Sequence, residues 1–214
     1  MMPVHYQNQR MRVHKVVASR FNNNAYVLVC LATGESVVID APEEHAKVLE
    51  ETKGTRVRAI LITHRHSDHT GGYAQLKEAL KAAGAIGADD AEALPGQPDF
   101  VLTDGDIIPV GHLALRAIHT PGHTPGATCL LVEDVLFSGD TLFPGGPGNT
   151  RTPEALRQSI QSITAKLHTL PDGTRVLPGH GGDTTIGESK REYAVFAGKP
   201  HAADLCGDVD WLKS

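Results

Sequence analysis

Four side chains able to hold a metal fall within six positions of this sequence: His64, His66, Asp68 and His69, in the run Leu61-Ile-Thr-His-Arg-His-Ser-Asp-His-Thr-Gly-Gly72. Imidazole and carboxylate groups suit zinc and other first-row divalent metals. A single loop histidine is ordinarily a solvated surface residue, but that reading does not account for four ligands at this spacing. Three more candidates lie downstream, each beside Gly or Pro. They are His123 in His119-Thr-Pro-Gly-His-Thr-Pro-Gly126, Asp140 in Phe137-Ser-Gly-Asp-Thr-Leu-Phe143, and His180 in Val176-Leu-Pro-Gly-His-Gly181. Seven ligands exceed the three that a catalytic zinc ordinarily takes from protein. They suit two metals about 3.5–4 Å apart, which lower the pKa of a bridging water and polarise a carbonyl. The chemistry expected is metal-assisted hydrolysis of an activated acyl group.

Such side chains need rigid supports. Residues 57–62 are apolar and β-branched and read as a buried strand, and 73–83 read as a helix stopping at Gly84. The first four ligands therefore sit on a strand-to-helix turn, with Gly71-Gly72 turning the chain tightly into the helix. Upstream, 13–18 and 25–31 read as strands joined by an Asn-rich turn, and 36–39 as a third. Asp40 then reads as a helix-start residue before Pro42, with a helix over 43–52. Residues 86–88 read as a short strand and 89–98 as a polar connection. Strands follow at 100–102, 107–110 and 113–118, then a hairpin of 127–132 with 135–138. Thr152-Pro153-Glu154 starts a helix to about 169, 175–177 is a strand, and Thr185-Ile-Gly-Glu188 has capping-box spacing for a helix to 197. Trp211, in the tail after it, reads as packing. Strands, helix, strands and helices in two halves give an α+β sandwich of two sheets with helices outside.

H-x-H-x-D-H, P-G-H-T-P-G, S-G-D-T-L-F and P-G-H-G, in that order between Asp40 and about Gly187, resemble the metallo-β-lactamase superfamily. The nearest resemblance is to its hydroxyacylglutathione hydrolase (glyoxalase II) branch and related small hydrolases. The resemblance implies the αββα fold, here as one domain over 1–214. It implies one metal on His64, His66 and His123, a second on Asp68, His69 and His180, and Asp140 bridging them. Zinc comes first, with iron or manganese as alternatives. Asp68 also becomes the catalytic residue, orienting the water and taking its proton. His119 is the weaker rival of His123, which fills the P-G-H position. Asp40 gains a second reading, bracing the ligand loop from behind. Glyoxalase II carries a C-terminal helical domain that helps bind glutathione, and the stretch after His180 is too short to hold it. Where that enzyme has Lys and Tyr, this chain has Gly148-Asn149-Thr150-Arg151, so Arg151 is a candidate for a substrate carboxylate, or a solvent-facing residue.

The expected activity is thioester hydrolysis. The alternatives are a lactonase of the same fold and a mononuclear iron sulfur-dioxygenase. A nuclease would ordinarily bring basic surface, and a purely binding module would not need all seven ligands. A β-lactamase reading is weakened by Asp140. Composition agrees with an ordinary globular protein: 214 residues, 40 % hydrophobic and 21 % charged. A net charge of −5 and no Lys/Arg run argue against nucleic acid. No apolar stretch reaches membrane-spanning length, and no signal-like segment opens the chain, so the cytoplasm is the expected place. The partner expected is a small acyl substrate, with a homodimer left open. Cys30, Cys129 and Cys206 are too few and too scattered for a disulfide framework. The remaining histidines, among them His14 and His168, are expected at the surface.

Overall fold

The computed structural model describes residues 3–18 and 20–214. The first half builds one sheet. Its strands are β1 (Tyr6–Gln7), β2 (Met11–Ala18), β3 (Asn23–Cys30), β4 (Glu35–Ile39), β5 (Arg56–Ile62), β6 (Ala83–Gly87) and β7 (Phe100–Leu102), neighbours in chain order. Helices α1 (His45–Thr52), α2 (Ser67–Thr70) and α3 (Tyr73–Leu80) lie between them. The second half adds β8 (Ile107–Val110), β9 (Leu113–His119), β10 (Thr128–Val132) and β11 (Val135–Gly139), a small β12–β13 hairpin (Leu142–Phe143, Gly146–Pro147), α4 (Pro153–Ser162), β14 (Arg175–Pro178), β15 (Thr184–Thr185) and α5 (Ile186–Ala197). The second sheet runs β15-β14-β11-β10-β9-β8.

Alternation along the strands explains the layers. In β5, Ala59 and Leu61 face the second sheet, where Leu115, Leu130 and Phe137 meet them. Ile60 and Ile62, on the opposite face, pack with Val48, Tyr73 and Leu76 of α1 and α3. In the second sheet Leu136 and Val176 face outward onto Leu156, Phe196 and Trp211. Strands buried on both faces read as continuous apolar runs, as β3 does with all eight residues buried. The fold is the expected αββα sandwich, and Trp211 is fully buried in its outer layer. No helix among the described residues is long and apolar enough to cross a membrane.

Several elements differ from the sequence reading. Acids precede α1 rather than open it, and the helix starts at His45. Helix α3 ends at Leu80 because Lys81 turns left-handed, with φ 51°. Gly84 is therefore no helix stop. It lies inside β6, which starts at Ala83 rather than at 86, and a Cβ there would meet the Tyr73 hydroxyl at 1.6 Å. The 89–98 connection is not without order, since a 3-10 turn spans Ala88–Ala93. Helix α4 passes into a π-helical turn, Ile163–Leu167, instead of running regularly to 169. The Thr164 hydroxyl bonds the Ile160 carbonyl at 2.8 Å, competing for an acceptor of the regular ladder. His14 and His168 are not surface groups. His14 is 2 % exposed with Glu51 at 2.9 Å, and His168 is half-buried against Ser189.

Gly72 has a steric role rather than the turning role expected of it. Its φ is −99°, which other residues adopt. A Cβ would stand 2.0 Å from the Pro42 carbonyl oxygen, where the loop after β4 presses on the ligand loop. Gly72 N bonds Ala41 O and Ala41 N bonds His69 O, both at 2.8 Å, so the two loops are zipped together. Gly72→Ala is expected to lower stability by about 1–3 kcal/mol, read as a lower denaturation midpoint in urea.

Candidate metal centre

Strand directions decide where the seven ligand candidates meet. β9 is antiparallel to β10, β10 is antiparallel to β11, and β11 is parallel to β14. β9, β11 and β14 therefore point the same way, and their ends deliver the His123 loop, Asp140 and His180 to one edge. In the first sheet β4, β5 and β6 are parallel, so Asp40, His64 and the turn holding Asp90 end at a common edge too.

All seven candidates converge there. His66 Nδ1 lies 3.1 Å from His64 Nε2 and 2.9 Å from His123 Nε2. On the other side, His180 Nε2 lies 3.3 Å from His69 Nε2 and 3.1 Å from Asp68 Oδ2. Asp140 stands between these groups. Its Oδ2 is 3.6 Å from both His123 Nε2 and His180 Nε2 and 4.0 Å from His64 Nε2, and its Oδ1 is 3.5 Å from His69 Nε2. His119 points elsewhere and bonds Pro125 O.

The outer nitrogens fix how the rings face inward. His69 Nδ1 donates to Asp40 Oδ2 at 2.8 Å, and His123 Nδ1 donates to Asn149 O at 2.7 Å. Thr63 Oγ1 gives its proton to Asp40 Oδ2 at 3.0 Å, so it accepts from His64 Nδ1, also at 3.0 Å. When the rings are neutral, the inner nitrogens are left to present lone pairs to one another. Asp140 Oδ1 is buried without a hydrogen-bond donor. Clustered lone pairs and an orphaned carboxylate oxygen are costly in an apolar surround, and cations placed among them would satisfy both. The donor set therefore fits divalent metal ions.

A sequence profile of the metallo-beta-lactamase superfamily matches residues 18–193. The chain belongs to that superfamily. A hydroxyacylglutathione hydrolase of Polaromonas sp. is 38 % identical over 168 residues, covering 75 % of this chain and 62 % of its own length. This chain thus spans less than two thirds of that hydrolase. Among solved structures, ETHE1 from Myxococcus xanthus superposes with a TM-score of 0.77 at 30 % identity, covering 88 % of this chain and 85 % of that one. A protein crystallised in a di-iron-bound form has a TM-score of 0.69 at 34 % identity, covering 83 % of this chain and 97 % of that one.

Within this superfamily member the two ligand groups differ in charge. Burial and the neighbouring imidazoles hold His64 well below its usual pKa, so it stays neutral. Burial also works against a charge on His69, yet the Asp40, Asp140 and Asp68 carboxylates overcome it and raise His69 to about 9. Burial opposes ionisation of Asp68 in the same way, but His180 and His69 lower it to about 2. An ion entering the second group must displace the His69 proton.

Asp40 is no simple helix-start residue. It is 1 % exposed, has φ 64°, and takes Thr63 N at 2.8 Å besides the two donors above. Residues the sequence left unmarked also hold the site. Asp90 accepts from Thr124 Oγ1 at 2.5 Å, Gly126 N at 3.1 Å and Arg65 N at 3.1 Å, tying the His123 loop to the His66 loop. Asn23 Nδ2 bonds the Asp68 carbonyl at 2.6 Å, and Asn24 Nδ2 bonds the Pro178 carbonyl at 2.9 Å. Arg151 does not touch the ligands. It is exposed and lines a depression with Arg65, His66 and His123.

Asp40→Ala should weaken zinc binding about 10–100-fold, measured against a competing chelator. The sign of the His69 shift gives a second readout on metal-free protein. A pKa of about 9, raised from the ordinary histidine value of 6.5, contributes stability that is complete below the lower value and lost as pH rises through the higher. The melting temperature should fall between these pH values, and the slope should flatten in Asp40→Ala.

Proposed function

We propose that this protein is a metal-dependent hydrolase that holds two divalent ions and cleaves a thioester. In this reading His64, His66 and His123 hold one ion, Asp68, His69 and His180 hold the other, and Asp140 serves both. The observation that carries it is Asp140, set between two groups of inward-facing nitrogens with a buried oxygen that lacks a donor. Ions held there supply a water of lowered pKa and polarise an acyl carbonyl, and zinc, iron and manganese all suit these donors. The likeness to a hydroxyacylglutathione hydrolase supports the thioester, and the di-iron-bound relative supports two ions.

The protein's own groups position the reaction. Asp40 and the Asn149 carbonyl lock the His69 and His123 rings, so the site needs little rearrangement as charge develops. Asp68 Oδ2, held by His180 and with its main chain tied by Asn23, orients the attacking water and takes its proton. A thiolate leaves unprotonated, since a thiol pKa is about 8.5, whereas an alkoxide needs a proton as it departs. Arg151, which lines a depression with His66 and His123, is the group proposed to receive a carboxylate on the acyl portion.

The test is an assay of metal-loaded protein with S-lactoylglutathione, a simple acyl thioester, a lactone and a penicillin, recording oxygen uptake as well. Thioester hydrolysis should vanish on chelation and return with zinc. Oxygen uptake or penicillin turnover in place of thioester hydrolysis would overturn the reading. Asp68→Asn, with metal restored, should lower kcat by about 10²–10⁴-fold, and more for a lactone than for a thioester.

A further inference from the structure

The strip 144–150 shapes one side of the metal centre, yet little in its own sequence holds it in place. It reads Pro-Gly-Gly-Pro-Gly-Asn-Thr, so it has few side chains to pack and a backbone of unusual freedom. The short β12–β13 pairing ends at Pro147, before Asn149. The inner side of the strip nonetheless touches two ligand residues. The Asn149 carbonyl accepts from His123 Nδ1 at 2.7 Å. A Cβ on Gly148 would stand 2.0 Å from the Asp140 carbonyl oxygen and 3.1 Å from His123 Nδ1. A carbonyl that aims a ligand ring must itself be fixed.

Residues 207–211 grip the strip from outside. Thr150 N donates to Gly207 O at 3.1 Å, and Gly207 N donates to Thr150 O at 2.7 Å. The Asn149 side chain donates to Asp208 Oδ1 at 2.9 Å. At the other end of the strip the Trp211 main-chain N–H donates to Gly145 O at 2.7 Å, while Gly145 N donates to Glu192 Oε2 at 3.0 Å. The gripping segment is anchored in turn. Val209 and Trp211 are buried, and the Trp211 ring lies 5.1 Å from that of Tyr193 and 6.3 Å from that of Phe196, both on α5. The histidines of the second ligand group are braced from elsewhere, His69 by Asp40 and His180 through its Nδ1, 3.2 Å from the Phe21 carbonyl.

We propose that residues 207–211 are a positioning element of the metal centre: by fixing Asn149 they aim His123, and so they set the affinity of the first ion and not of the second. Asp208 and Trp211 are its positioning residues. This role rests on the reading that His64, His66 and His123 hold an ion, and on nothing about the substrate.

Cobalt binding to metal-free protein, measured by competition with a chelator, tests it in two backgrounds. His180→Ala keeps the first ligand group, and His123→Ala keeps most of the second. Asp208→Ala removes the tie to Asn149 at an exposed position. It should weaken cobalt binding about three- to tenfold in the His180→Ala background, the span expected for one lost hydrogen bond, and leave it unchanged in the His123→Ala background. Asp208→Asn keeps an acceptor for Asn149 without the charge and should restore the affinity. Trp211→Leu loosens the anchor at Gly145 and should act in the same background alone. A urea unfolding curve shows whether that variant folds, and Asp208→Ala decides the matter where it does not. Equal weakening in both backgrounds, none in either, or no recovery with Asn would overturn the proposal. If His180→Ala holds as many ions as the wild type, the two-ion reading fails, and whether the effect of Asp208→Ala requires His123 still decides the role of 207–211.

Discussion

The Asp40 carboxylate is the contact on which the site depends. It takes three donors at 2.8–3.0 Å, two from Thr63 and one from His69. Through the Thr63 hydroxyl it also sets the His64 ring, so one buried carboxylate orients a histidine in each ligand group. The backbone there is left-handed, at a non-glycine residue, which costs on the order of 1–3 kcal/mol. Charge-assisted hydrogen bonds of this kind are about twice as strong as neutral ones, and they hold the conformation in place. With an ion on its inner nitrogen, His69 is neutral and still donates to Asp40, which makes it a better ligand.

Topology makes this economy of support workable. Both sheets end their same-direction strands at one edge, so short loops suffice to bring seven groups together. Asp90 plays for the His66 and His123 loops the part that Asp40 plays for the His64 and His69 loops. Each clamp joins loops far apart in the chain, which ties the site's geometry to the packing of the whole sandwich.

The ligand candidates were legible because their residue types are rare at such spacing and each follows a strand-like run. The αββα layers were legible from runs such as 57–62, whose alternate residues face two different cores. Asp40 was ambiguous because an acid before Pro42 satisfies a local rule and a distant one equally. Thr63 and Asp90 carried no signal, and Asn23 and Asn24 read as turn residues although they open β3, since each acts through contacts with segments remote in sequence. The ends of α3 and α4 were misread for a related reason: Lys81 turns to feed a parallel strand, and the Thr164 hydroxyl perturbs the ladder. The Gly72 and Gly84 pattern suggested turning and stopping, yet both make room for a neighbour. His14 next to Glu51 shows the same limit, because burial is decided by what packs on top.

The central claim is that two ions share Asp140, and metal content tests it most directly. Elemental analysis of metal-replete protein, with anomalous diffraction to place the ions, should give two per chain on either side of Asp140. His180→Ala should bring the count toward one. A single ion in fully active wild-type protein would contradict the account.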